Sequence, residues 1–234
     1  MLEVRGLRAA YGETPVLHGV DLDVAEGELV VVIGPNGHGK TTLLRAVSGL
    51  LPPTAGSVTF AGERIDGRPP EAIARAGLVH VPQGDLPFGD MTVEENLLMG
   101  AFLPAAWRER RERLERVYDL FPLLAQRRGQ RARTLSGGER RMLALGRGLM
   151  GEARMLMIDE PSLGLAPVVV NEVYRRIARI AETGITMLLV EENFSHVQGF
   201  DARVSLLESG RIVREGRVAD LLADEAVMAT YLGA

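Results

Sequence analysis

The sequence predicts an α/β fold: a parallel sheet with crossover helices, preceded by a strand-rich segment and interrupted by a helical insert. Three observations carry this expectation. The runs Leu29 to Ile33, Met155 to Ile158 and Met187 to Val190 are short and wholly apolar, as suits central strands covered on both faces. Helical spacing follows the first run at Leu43, Leu44 and Val47, and it joins the other two at Val173, Ile177 and Ile180. Between these two units, residues 91–150 carry a helical pattern.

The N-terminal elements read as strands. Val16-Leu17 to Val24, Leu29 to Ile33 and Ser57 to Phe60 are short runs punctuated by glycine and proline. A helix from Lys40 stops at Gly49, a residue suited to ending helices. In the insert, the run from Arg108 to Arg116 sets Glu109/Arg113 and Glu112/Arg116 four apart in the favourable order, which marks a solvated helix face. The stripe through Ile180 ends at Gly184, and the order strand, helix, strand requires parallel pairing with a crossover. Val204 to Leu207 and Ile212-Val213 form a further strand pair, followed by a helical end from about Val218. The expected organisation is one domain over 1–234, with 1–87 and 151–234 as its core and 88–150 as the helical insert.

The 234 residues suffice for one sizeable core but not for two ordinary independent domains. With 46% apolar and 25% charged residues the chain is globular rather than disordered. A net charge of −4 and a pI near 5.7 provide no diffuse positive field, so nucleic acid is not an expected partner. The apolar runs fall far short of the roughly 20 residues needed to cross a bilayer. No basic and apolar leader opens the chain and no cysteine occurs in it, so a cytosolic location without disulfides is expected. All 27 basic residues are arginine except Lys40. Ammonium and guanidinium differ in compactness and hydrogen-bond geometry, so position 40 is singled out for chemistry.

Gly34-Pro-Asn-Gly-His-Gly-Lys40-Thr41 fits G-x-x-x-x-G-K-[ST] and lies between a predicted buried strand and a predicted helix. Glycines let successive backbone N–H groups turn around an anion, and the helix start adds its positive dipole end. Gly34, Asn36, Gly37, His38, Gly39, Lys40, Thr41 and Thr42 are therefore the candidate phosphate-binding residues. Lys40 would reach the β- and γ-phosphates of ATP, and the Thr41 hydroxyl would ligate Mg²⁺. Downstream, Met155 to Ile158 runs into Asp159 and Glu160. Successive strand side chains diverge, so the two acids are expected to do different work: Asp159 in the Mg²⁺ shell, Glu160 polarising the attacking water.

Leu135-Ser136-Gly137-Gly138-Glu139, which begins 24 residues before Asp159, narrows this reading from phosphate-loop NTPases in general to one family. The chain resembles the ATP-binding cassette (ABC) ATPases, with their motifs in order over essentially its whole length. The resemblance implies a P-loop NTPase core with a parallel sheet, an antiparallel β subdomain on the N-terminal side and an inserted α-helical subdomain. It implies that Tyr11 stacks on adenine and that Gln83 links metal and nucleophilic water to the transporter contact. Ser136, Gly137 and Gly138 are implied to reach the γ-phosphate held by a second ATPase subunit, identical or different, and Ser162 to Leu165 form the loop after the catalytic glutamate. Membrane permease subunits, and through them an extracytoplasmic solute-binding protein, are the further partners implied, with the chain peripheral on the cytoplasmic face of the cell membrane. Within the family the sequence looks most like the ATPases of branched-chain amino-acid importers or importers of related small solutes.

Two positions depart from the common pattern. Glu139 stands for the usual glutamine, and Glu192 stands where a switch histidine usually follows the strand. Glu192 is expected to turn away from the phosphate or hold a water. His196, four residues later, is expected to be a helix-surface residue rather than a substitute. Arg127 to Arg133 lacks intervening acids and is a candidate partner contact. Two other functions compete: a regulatory cassette that holds ATP with little hydrolysis, and a non-transport cassette. The latter usually carries a long coiled-coil insertion or two cassettes, whereas here 53 positions separate Gln83 from Ser136 and one phosphate loop is present.

Overall fold

The computed structural model describes residues 1–84 and 86–224. β1 (Leu2–Tyr11) and β2 (Thr14–Val24) form an antiparallel hairpin. Leu2, Val4, Leu7 and Ala9 of β1 face inward while Glu3 and Arg5 face solvent. The inward set shifts phase through a register irregularity between Val4 and Leu7, the mark of a bulge. After β3 (Leu29–Ile33) come α1 (Lys40–Val47), β4 (Ala55–Phe60), β5 (Glu63–Arg64), α2 (Pro70–Arg75) and β6 (Leu78–Val81). The helical insert holds α3 (Val93–Gly100), α4 (Pro104–Arg108), α5 (Arg110–Leu120), α6 (Pro122–Gln126) and α7 (Gly137–Leu149). The chain returns through β7 (Met155–Asp159), α8 (Pro167–Ala181), β8 (Thr186–Glu191), β9 (Arg203–Glu208), β10 (Arg211–Arg217) and α9 (Val218–Leu222). The helical end expected from Val218 begins as α9, and the part of that expectation that falls on residues 225–234 lies outside the described residues.

Two sheets result. One is antiparallel, in the order β2-β1-β4-β5; the other has the order β10-β9-β3-β8-β7-β6 and is parallel apart from β10. β7, α8 and β8 form the crossover unit expected from the stripe at Val173, Ile177 and Ile180, all fully buried. Strand alternation divides the core into two layers. Val31, Ile33, Leu156, Ile158, Met187 and Leu189 face α7 and α8, while Val30, Val32, Met155, Met157, Leu188 and Val190 face α1 and the antiparallel sheet. Each such side chain contributes about 1.5–3 kcal/mol by leaving water. The central strands β3, β8 and β7 thus have no solvated face, and their ends at Ile33, Asp159 and Glu191 are held in fixed register.

The insert is fixed by its caps. The Thr92 hydroxyl accepts from Glu95 N and the Glu95 carboxylate accepts from Thr92 N, a reciprocal capping box at the start of α3. The expected Glu109/Arg113 pair forms at 2.7 Å, although the helix is interrupted at Glu109 between α4 and α5. Arg127, Arg131 and Arg133 are engaged within the chain, on Glu139, the Asp90 carbonyl and the Asp90 carboxylate respectively. These bonds tie the loops that precede α3 and α7 to each other.

Candidate active site

The strand-loop-helix unit β3-α1 builds the floor of the site. Gly39 caps α1 with φ 105°, a conformation open to glycine, and a Cβ there would meet Leu17 Cδ2 at 2.9 Å. Lys40, the first helical residue, is 3% exposed. Its Nζ donates to the carbonyls of Gly34 at 2.7 Å and Pro35 at 3.1 Å and pairs with Glu160 Oε1 at 2.9 Å. The sole lysine ammonium of the chain is therefore gathered under the loop, beside the acid that follows β7. The His38 ring turns the other way, where Nδ1 accepts from Ser209 N at 3.1 Å.

The two acids at the end of β7, Asp159 and Glu160, do go to different partners. Asp159 Oδ1 accepts from the Thr41 hydroxyl at 3.1 Å. Glu160 is not a continuation of the strand: its φ is 43°, left-handed backbone that a non-glycine residue adopts only under strong local constraint. Glu160 Oε2 accepts from Gln83 Nε2 at 3.1 Å, and Glu160 N donates to Val190 O at 3.0 Å. Tyr11, Asn36, Gly37, Gly39, Lys40, Thr41, Thr42, Gln83 and Glu160 line one cleft of about 380 Å³, with Asp159 in an adjoining cleft that shares Tyr11, Thr41 and Gln83. Tyr11 is 44% exposed at the rim, its hydroxyl accepting from Arg45 at 3.3 Å.

The donors fit Mg²⁺. Asp159 Oδ2 is buried without a hydrogen-bond partner next to the Thr41 hydroxyl, a hard-oxygen pair. Among the described residues no group of three or more His, Cys, Asp or Glu forms an all-protein cage. That is the usual situation for magnesium, which shares one or two protein oxygens with phosphate. Gln83, also expected near the metal, has its amide on Glu160 instead.

Burial pushes the Asp159 carboxyl up to about 6, against the Thr41 hydrogen bond and reinforced by the nearby Glu160 charge. The folded carboxyl thus keeps a proton that the unfolded chain releases near 3.8. Its contribution to stability is present below that value and lost as pH rises through about 6. Asp159→Asn should therefore raise the melting temperature of the ligand-free chain at pH 7.5 by a few degrees, about 1–2 kcal/mol, while removing the magnesium dependence of ATP binding. Differential scanning fluorimetry and calorimetry measure the two effects.

Ser136, Gly137 and Gly138 do not line this cleft; they open α7. Ser136 Oγ accepts from Glu139 N at 3.4 Å, and Glu139 Oε2 accepts from Ser136 N at 2.8 Å. The glutamate in place of glutamine is thus a capping carboxylate. It folds back on the helix start and pairs with Arg127 at 2.9 Å, so its charge is offset by the helix N-terminus and the guanidinium. A Cβ on Gly138 would lie 2.2 Å from Val169 Cγ1, so α7 and α8 approach too closely there for a side chain.

Two expectations about the switch region are corrected. Glu192 does not turn away: Oε2 accepts from Asn36 Nδ2 at 2.8 Å, because an amide in the loop supplies the donor that a carboxylate needs. His196 is not a plain surface residue on an α-helix. It sits in a 3₁₀ turn, Phe194–Val197, with its ring centroid 5.1 Å from that of Tyr174 and Nδ1 3.6 Å from Glu191 Oε2.

Sequence reasoning passed over two buried charges near the site. Arg141, 1% exposed, directs its guanidinium at the carbonyls of Pro82 and Glu160, each at 3.5 Å. Glu191, also 1% exposed, accepts from Ser162 and Tyr174. Burial pushes the Glu191 carboxyl up, but the pull of His196, Tyr174 and Ser162 outweighs it and holds the group below the ordinary range. A charge directly after an apolar strand was the available signal, the same one that marked Asp159.

Comparison with known proteins agrees with this geometry. The ABC transporter family model matches residues 17–163. The high-affinity branched-chain amino acid transport ATP-binding protein BraG of Pseudomonas aeruginosa is 40% identical over 100% of both chains. A probable branched-chain amino acid transport ATP-binding protein, LivF, of Archaeoglobus fulgidus is 37% identical over 96% of this chain and 95% of its own. Among solved structures, a nucleotide-free ATP-binding cassette from an ABC transporter superposes with a TM-score of 0.86 at 28% identity, covering 100% of this chain and 99% of that one. The ADP conformation of another such cassette gives 0.84 at 29% identity over 100% and 99%. The chain belongs to the ABC transporter family, as its ATP-binding cassette, the ATPase subunit.

Proposed function

We propose that this cassette hydrolyses ATP in the Lys40 cleft to drive import of branched-chain amino acids or closely related small solutes. The observation that carries the chemistry is the meeting of Lys40, Thr41, Gln83, Asp159 and Glu160 at two adjoining clefts from three separate segments. The solute class rests on end-to-end similarity to BraG and LivF. Lys40 supplies positive charge for the terminal phosphates, while Tyr11 stacks on the base. Thr41 and Asp159 would hold Mg²⁺, which when bound neutralises phosphate charge. Glu160, held by Gln83, polarises a water whose oxygen attacks the γ-phosphorus; the bond to the β-phosphate oxygen breaks, yielding ADP and phosphate.

Ser136 to Gly138 stand apart from the cleft of their own chain, and the start of α7 suits a γ-phosphate supplied by a second cassette. ATP binding then closes two cassettes, and hydrolysis reopens them. The Glu192 carboxylate on Asn36 favours slow turnover by the chain alone, with a partner cassette as the faster member. No described helix is long and apolar enough to cross a membrane. In this reading the permease is a separate subunit and the cassette sits peripherally on its cytoplasmic side. A solute-binding protein delivers cargo to that complex.

The surface for the permease is the groove of about 470 Å³ between the insert and β6, flanking Gln83. Leu86, Phe88, Met99 and Phe102 line it while 46–63% exposed, an apolar patch that a partner would cover. Phe102→Asp is expected to abolish co-purification with the membrane subunits and leave MgATP binding by the isolated cassette unchanged. Uptake of labelled leucine by the reconstituted complex, lost in Lys40→Ala, tests the function as a whole.

A further inference from the structure

Glu191 closes β8 and is buried, yet nothing in the reaction described above uses it. A carboxylate removed from water is strongly unfavourable unless donors replace its hydration. Here Oε1 accepts from Ser162 Oγ at 2.9 Å, from Ser162 N at 3.4 Å and from the Tyr174 hydroxyl, and Oε2 accepts from Glu192 N at 3.0 Å. The main chain around it is equally engaged. Glu191 O accepts from Gly34 N, the first residue of the phosphate loop, at 3.2 Å, and the preceding Val190 O accepts from Glu160 N. Glu192, the next residue, grips Asn36 of the same loop.

Glu160 needs such an anchor. Its left-handed backbone persists only where both flanks are fixed. β7 and Val190 O fix the approach; on the far side the chain passes Pro161 and reaches Ser162, where the Glu191 bonds begin. We propose that Glu191 is a positioning residue for hydrolysis: its carboxylate ties the turn after Glu160 to the phosphate loop, so that the water-polarising group and the phosphate keep one separation. This inference rests on the ATPase reading above. The residue type is specific, because two main-chain N–H groups and two hydroxyls converge on it, and only an acceptor without donors of its own satisfies them all. An amide would set an NH₂ against an N–H on one side or the other.

The test is steady-state kinetics of the full chain with MgATP for Glu191→Gln, Ser162→Ala, their double variant and Glu160→Gln. Glu191→Gln should lower kcat about tenfold with KM and MgATP affinity within about twofold, since only alignment is lost. Ser162→Ala, in a half-buried turn outside the core, should lower kcat about threefold, and the double variant should fall no further than Glu191→Gln. Wild-type kcat in both single variants, or a loss confined to KM, overturns the inference and leaves Glu191 a structural residue. If Glu191→Gln does not fold, Ser162→Ala decides alone, and unchanged kcat there overturns it. Absent turnover by the wild-type chain overturns the ATPase reading itself, and retained turnover in Glu160→Gln overturns the role of Glu160 on which this inference rests. Lost turnover there, with full activity in the other variants, overturns only the role given to Glu191.

Discussion

Lys40→Ala should lower MgATP affinity by about a hundredfold or more and abolish turnover, because the variant removes the one ammonium directed at the phosphate loop. Isothermal calorimetry reads the affinity, and phosphate release reads the turnover. The structure adds a consequence for stability. Lys40 is paired with the buried Glu160 carboxylate, so its removal strands a charge that Gln83 alone must satisfy. The variant is expected to fold but to melt several degrees lower. Affinity and turnover equal to wild type would remove the phosphate-loop reading.

Glu160→Gln produces the complementary phenotype. The amide keeps the shape and the contact with Gln83 but cannot polarise water, so kcat should fall by about 10²–10³ while ATP affinity is kept. Bound ATP that is not hydrolysed should hold two cassettes together. Sedimentation velocity with MgATP should therefore show a dimer in this variant where wild type is mostly monomer. Hydrolysis at the wild-type rate would transfer the catalytic role to another residue.

The parts of the molecule that followed from sequence were those governed by local rules. Apolar runs buried on both faces of a sheet, as at Leu29 to Ile33 and Met187 to Val190, leave a one-dimensional trace, and so does a glycine loop before a helix that begins with the sole lysine. The acids at the end of β7 are visible for the same reason. Long-range pairing was not. That Glu192 reaches Asn36 across 156 positions, or that Tyr174, Ser162 and Glu191 converge, depends on the register of β8 against β3 and β7 and on where α8 crosses. His196 was misjudged because its turn is 3₁₀ and packs on Tyr174, whereas spacing was counted along an exposed α-helix. Glu139 was read as a departure from a pattern, and its reason, a capping box closed against Arg127, lies in side-chain geometry.

The central claim is that ATP is hydrolysed between two cassettes, at a site made of the Lys40 cleft of one chain and the Ser136 helix start of another. Mixing two inactive variants measures this directly. Lys40→Ala keeps a working Ser136, and Ser136→Arg keeps a working Lys40, so a mixed dimer contains one intact composite site and one doubly damaged site. Phosphate release by an equimolar mixture should recover to about a quarter of the wild-type rate, since half the dimers are mixed and each has one of two sites restored. A mixture as inactive as either variant alone would contradict the account.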